Sequence, residues 1–88
     1  MANHKSAAKR ARQAIKRTER NHAVKSRVRS SVRAFREALA SGENDLAETT
    51  LAAATRELRK AGSKGVYHPR TVSRRVSRLV KGLNTASA

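Results

Sequence analysis

Apolar residues in this chain recur at helical spacing in three places. Val24, Val28, Val32, Phe35 and Leu39 form the first series, which lays a narrow stripe along one side of a helix. The series stops at Ser41-Gly42, a suitable C-terminal cap because glycine takes the left-handed conformation without strain. Ala47, Leu51, Ala54, Leu58 and Ala61 form the second series. Asp45 offers it an N-cap, Glu48 stands where a capping box places its acid, and Gly62 offers the stop. The third series, Val72, Val76, Leu79, Val80 and Leu83, follows Pro69, a residue favoured at the first position of a helix. The helices so predicted, Val24–Leu39, Leu46–Ala61 and Pro69–Leu83, have matching lengths of about 23 Å. They can bury their stripes against one another in an antiparallel bundle with short connections. The expected fold is all-α, a three-helix antiparallel bundle in a single domain spanning 1–88.

The stretch before Val24 breaks this pattern. From Lys5 to Arg20 it reads KSAAKRARQAIKRTER, rich in residues that lose little side-chain freedom in a helix. No Gly or Pro interrupts it, so the first helix should run on for about 27 Å past the bundle. Its apolar content is alanine and Ile15, set against seven cations and one acid, Glu19. Protein helices are held mostly by an apolar face packed on something, and this segment has none. The expectation is a basic helical arm over 1–23 that packs on no protein, joined to a bundle core over 24–84.

Charge gives the arm a partner. The net charge is +15 over 88 residues, enough self-repulsion to oppose compaction unless a polyanion neutralises it. Residues 1–36 carry +11, residues 37–58 carry −4 and residues 59–88 carry +8. Two basic segments thus flank an acidic middle, an organised field that a disordered, uniformly charged tail does not show. An organelle transit peptide would share the acid-poor, Arg-rich N-terminus, but the three apolar stripes go beyond it. A membrane-surface helix needs a wide apolar face, and no run approaches the ~20 apolar residues of a membrane span. Phosphate neutralisation by nucleic acid remains. Arg outnumbers Lys, and its planar fork grips phosphate with two parallel hydrogen bonds.

Neither base-reading nor chemistry is evident. Zinc-finger and leucine-zipper spacings are missing. The polar face of the third helix is Arg, Ser and Lys, with little Asn or Gln to read base edges. Two aromatic residues, Phe35 and Tyr67, cannot build a base-stacking platform. His4, His22 and His68 lack metal-ligand spacing, and His68 beside Pro69 reads as a loop or cap residue. Without cysteine there is no thiol catalysis or disulfide. Ser73 and Ser77, between arginines, can add hydrogen bonds to phosphate. No enzyme and no cofactor is expected. The residues alone leave RNA binding and architectural DNA binding open, although no exposed apolar wedge of the kind architectural DNA proteins insert is evident.

Three strings carry a resemblance over essentially the whole chain: MANHKSAAKRARQ at the start, RNHAVKSRVRS at Arg20–Ser30, and KGVYHPRTVSRRVSRL at Lys64–Leu79. In order and spacing they resemble the bacterial small-subunit ribosomal proteins numbered twenty, the S-twenty family. The resemblance implies a bundle with a long first helix that binds small-subunit ribosomal RNA directly and aids assembly. It also implies a cytoplasmic place in the bacterial ribosome, as a monomer there, without membrane or small-molecule substrate. It assigns RNA contact to Lys5, Lys9, Arg10, Arg12 and Lys16, then to Arg17, Arg20, Asn21, Lys25, Ser26 and Arg27. In the third string it assigns Lys64, His68, Arg74, Arg75, Ser77 and Arg78. The chain departs from the family's pattern at Glu19 and at Pro69-Arg70, where a basic residue and Asn are usual after the histidine.

Overall fold

The computed structural model describes residues 2–87, so the expected domain of 1–88 extends one residue beyond them at each end. Three helices make up the described chain: α1 (Ala2–Ala40), α2 (Asn44–Ser63) and α3 (Pro69–Ser87). The 39 residues of α1 correspond to about 58 Å of helix, and the molecule measures 66 × 21 × 13 Å. The first helix therefore sets the long axis. It begins at Ala2, within the arm expected over 1–23, as nothing in its first turns breaks a helix.

The two turns follow the same physics. After α1, the Glu43 N–H donates to the Ala38 carbonyl at 3.2 Å and the Gly42 N–H to that of Leu39 at 3.1 Å. Gly42 takes φ 74°, which completes a Schellman cap. After α2 the pattern repeats with Val66 N–H on Ala61 (3.0 Å), Gly65 N–H on Gly62 (3.1 Å) and Gly65 at φ 77°. Ser41-Gly42 thus ends α1 as expected, whereas Gly62 does not end α2. Gly62 is inside the helix because α3 crosses there: a Cβ on it would stand 3.0 Å from Cγ2 of Val72. The left-handed position passes to Gly65.

Asp45 is not the N-cap of α2. The tight reversal after Ala40 starts the helix at Asn44, with Glu43 in the cap position and no side-chain cap bond. Asp45 falls in the first turn, where its negative charge complements the helix dipole. Pro69 does open α3. His68 caps that helix: its Nδ1 accepts from the Arg70 N–H at 3.1 Å, and its carbonyl accepts from Val72 at 3.1 Å.

The core consists of Val24, Val28, Phe35 and Ala38 from α1, Ala47, Ala54, Leu58 and Ala61 from α2, and Val72 and Leu79 from α3. Phe35, Leu58 and Val28 are its largest fully enclosed side chains. The 4-3-4-3 steps from Ala47 to Ala61 make a seam like that of packed antiparallel helices. Its alanines let the backbones approach closely. Val80, expected in the third stripe, instead faces outward at 38% exposure, because it lies off the line of Val72, Val76, Leu79 and Leu83. Ala38 joins the core although the sequence stripe passed over it.

Helix order follows from the contacts. Arg20 of α1 reaches Lys64 at the end of α2, so those helices are antiparallel. Gly82 of α3 lies against Leu39 of α1, a Cβ on it standing 3.8 Å from the Leu39 Cδ1, so α3 runs parallel to α1. The middle helix packs along both neighbours, while α1 and α3 meet only sparsely. No described helix is long and apolar enough to cross a membrane.

Candidate nucleic-acid interface

The arm presents its charge in an ordered way. Lys5, Lys9, Arg12, Lys16 and Arg20 are all exposed, and their steps of four, three, four and four residues place them on one side of α1. Arg10 and Arg17, also exposed, lie on the side that further along carries Val24 and Val28. Like charges three and four residues apart repel along a helix, so this stripe is stabilised when phosphates are placed against it.

At its base the arm meets the bundle. The Arg20 guanidinium donates to the Lys64 carbonyl at 3.3 Å and to Oδ1 of Asn21 at 3.2 Å. Asn21 and Ser26 are half-buried, whereas Lys25 and Arg27 are exposed. The line of charge thereby continues from the arm to Lys64 and along the outer side of α2, where Arg56, Arg59 and Lys60 border a shallow depression. Cations at this end of α2 also complement its dipole.

On α3 the sequence-assigned residues divide between two sides. Arg74 and Ser77 lie on the outer side with Arg70 and Lys81, all exposed, at steps of four, three and four. His68 stands at the head of this row. With Nδ1 committed to the cap, its outward nitrogen is the one left to meet a ligand. Pro69 and Arg70, the departures from the family's pattern, thus open the helix and begin the row.

Arg75 and Arg78 turn the other way, toward α1, and line an open cleft between α1 and α3. The Arg75 guanidinium stands 4.7 Å from the centre of the Tyr67 ring, within cation–π range. Across from it are Lys25, Arg29, Arg33 and Arg36, again at steps of four, four and three. At ~100° per residue this second stripe on α1 is turned about 145° from the arm's stripe. Arg29, Arg33 and Arg36 were missed by motif reasoning, although the spacing from Lys25 to Arg36 was a visible signal. Tyr67 could not be placed without the turn geometry.

Among the described residues, no group of His, Cys, Asp or Glu has a metal-holding arrangement. The surface instead carries rows of arginine and lysine along the arm, at the end of α2, on the outer side of α3 and along the α1–α3 cleft. Known proteins are similar to this chain over nearly its whole length. The family model described as Ribosomal protein S20 matches residues 2–84. The small ribosomal subunit protein bS20 of Geotalea daltonii is 52% identical over 87 residues, covering 99% of this chain and 100% of the relative. That of Syntrophotalea carbinolica is 52% identical over 85 residues, covering 97% and 98%. That of Campylobacter fetus subsp. fetus is 49% identical over 88 residues, with both chains covered completely. A match of this extent, over both the arm and the bundle, shows that the chain belongs to the ribosomal protein S20 family.

Proposed function

We propose that this chain is a structural protein of the bacterial small ribosomal subunit, located with the ribosome in the cytoplasm. It binds small-subunit ribosomal RNA directly, through phosphate and shape, and helps fold that subunit without catalysing a reaction. The observation that carries the reading is the row from Lys5 to Arg20, five cations on one side of a helix with no apolar face to pack. Full-length similarity to small ribosomal subunit proteins supports it. In this reading the arm row, Arg27 and Lys64 grip phosphates along one RNA surface, and Arg10 and Arg17 grip phosphates from the adjoining side of the arm. Arg74, Ser77 and His68 grip another, with Asn21 and Ser26 adding hydrogen bonds at the base of the arm. Lys25, Arg75 and Arg78 act from the cleft. The arm of 1–23 and the core of 24–84 divide the labour between binding and folding.

The test is competition at physiological salt between folded small-subunit ribosomal RNA and duplex DNA of equal phosphate content. Purely non-specific binding under such conditions has Kd values of roughly 10⁻⁴–10⁻⁶ M. The RNA should displace bound protein well below that range and the DNA within it. Tagged protein should also sediment with small subunits from a bacterial lysate. Equal displacement by DNA, with no sedimentation alongside subunits, would overturn the proposal in favour of an architectural DNA-binding protein.

A further inference from the structure

We infer that the cleft between α1 and α3 receives an unpaired nucleotide of the bound RNA, base inward and phosphates at the rim, with Arg75 as the surface on which the base stacks. This rests on the RNA-binding reading above and names what one part of the surface takes.

In a closed three-helix bundle each helix packs on both others. Here the third interface is largely missing, leaving two adjoining depressions of about 690 and 310 Å³ that share Val32, Arg36 and Arg75. Val28, Val32, Leu58 and Leu79 form the floor. The rim is cationic except for Glu37: Lys25, Arg29, Arg33 and Arg36 stand on the α1 side with that single acid, and Arg75 and Arg78 on the α3 side. These facing rows repel each other, and an anion between them removes that repulsion.

The floor and the rim ask for different things. Phosphates satisfy the rim, but they have no use for an apolar floor, and a duplex keeps the flat faces of its bases stacked inside. A carboxylate-bearing helix is about 10–12 Å across, too broad for depressions within the ~300–1,000 Å³ typical of small-ligand sites. A nucleotide that has left its stack offers both parts, a flat apolar face and a negative backbone. Arg75 is prepared for it. Its guanidinium stands over the Tyr67 ring, Tyr67 itself packs on the core, and Arg75 is exposed. An arginine plane fixed on one side is a stacking surface on the other, and RNA recognition commonly uses arginine planes in this way.

Tyr67 is the chain's one tyrosine, so its ring protons report on the cleft without ambiguity in a proton spectrum. The full chain would be titrated with an eight-nucleotide single-stranded RNA of A and C, which cannot pair with itself. Polyphosphate of equal charge and polyglutamate serve as comparisons. The oligonucleotide should shift the Tyr67 ring protons and the Arg75 Nε–H upfield by ring current, and polyphosphate should not. Arg75→Lys, which keeps the charge and loses the plane, should weaken oligonucleotide binding at least about fivefold, the lower end of one base's stacking contribution. It should leave polyphosphate binding within twofold, while Arg12→Ala should weaken both alike. Equal losses for both probes on Arg75→Lys would show a plain anion groove and overturn the inference. Tighter seating of polyglutamate at Tyr67 would overturn it in favour of an acidic protein partner. Oligonucleotide binding that leaves Tyr67 unmoved would also overturn it, and the RNA reading would survive if small-subunit RNA still displaced DNA.

Discussion

Residues 2–19 and 20–40 are one helix by backbone and two by side chain. In the second stretch every turn contributes to a core, through Val24, Val28, Phe35 and Ala38. In the first, every residue from His4 to Glu19 is exposed, and Ile15, the largest apolar side chain there, remains 59% exposed. The same backbone hydrogen bonding therefore has two different supports. The inner half is held by burial, at roughly 25 cal/mol per Å² of apolar surface removed from water. The outer half has only helix propensity, reduced by like charges at three- and four-residue spacing. A protein that needed only to fold would end its first helix where its partners end. The overhang makes sense as a binding element whose stabilising partner is outside the chain.

The sharpest break of this contrast comes from the core. Leu58 is fully buried, so Leu58→Asp places a carboxylate where it can be neither hydrated nor paired. The expected loss exceeds about 4 kcal/mol, which unfolds a domain of this size outright. Thermal unfolding followed by circular dichroism would show a lost cooperative transition. The same substitution at Ile15 should leave the transition within about 0.5 kcal/mol, as is usual for exposed positions. A cooperative transition that survives Leu58→Asp would mean that the bundle is not the folding unit.

A smaller effect tests how α3 is held. Gly62 has Cγ2 of Val72 3.0 Å from where its Cβ would be. Gly62→Leu adds a whole side chain at that crossing and should cost about 1–3 kcal/mol by overpacking, despite leucine's better helix propensity. Denaturant midpoints at unchanged slope would measure it. A stabilised variant would show that α3 is free to move away from α2.

What the sequence made legible divides along the same line. The stripes at Val24–Leu39 and Ala47–Ala61 were readable because burial enforces a period, and burial governs those turns. The turns were read less well, since Asp45 and Gly62 are both sound local signals that tertiary geometry overrode. A three-residue reversal moved the start of α2 to Asn44, and the crossing of α3 placed Gly62 inside the helix. The arm's cations were easy to find because nothing competes with them for an explanation. The cleft was not, because Arg29, Arg33 and Arg36 lie within a helix already explained by its core. They share a cleft with Arg75 and Arg78, about forty residues away in sequence, and only the open space between α1 and α3 sets the two rows face to face.

A small expected effect on stability belongs to the largest change in sequence. Removing residues 1–19 takes away Lys5, Lys9, Arg10, Arg12, Lys16 and Arg17 but no buried side chain among the described residues. It leaves in place the Arg20 contact to the Lys64 carbonyl. Such a contact is exposed and is worth little by itself. The unfolding free energy of the remaining 69 residues should therefore change by less than about 1 kcal/mol. It should rise if relief of self-repulsion is the larger effect. Binding should change far more. With roughly half of the six lost cations on phosphates, the slope of log affinity against log salt should flatten by about 2–3 units. Thermal unfolding and salt-dependent titration with small-subunit RNA measure the two quantities on one sample. A truncated chain that unfolds would show the arm supporting the bundle. One that keeps the full salt slope would show the phosphates lying on the rows of α2, α3 and the cleft, and would leave the overhang of α1 without a purpose.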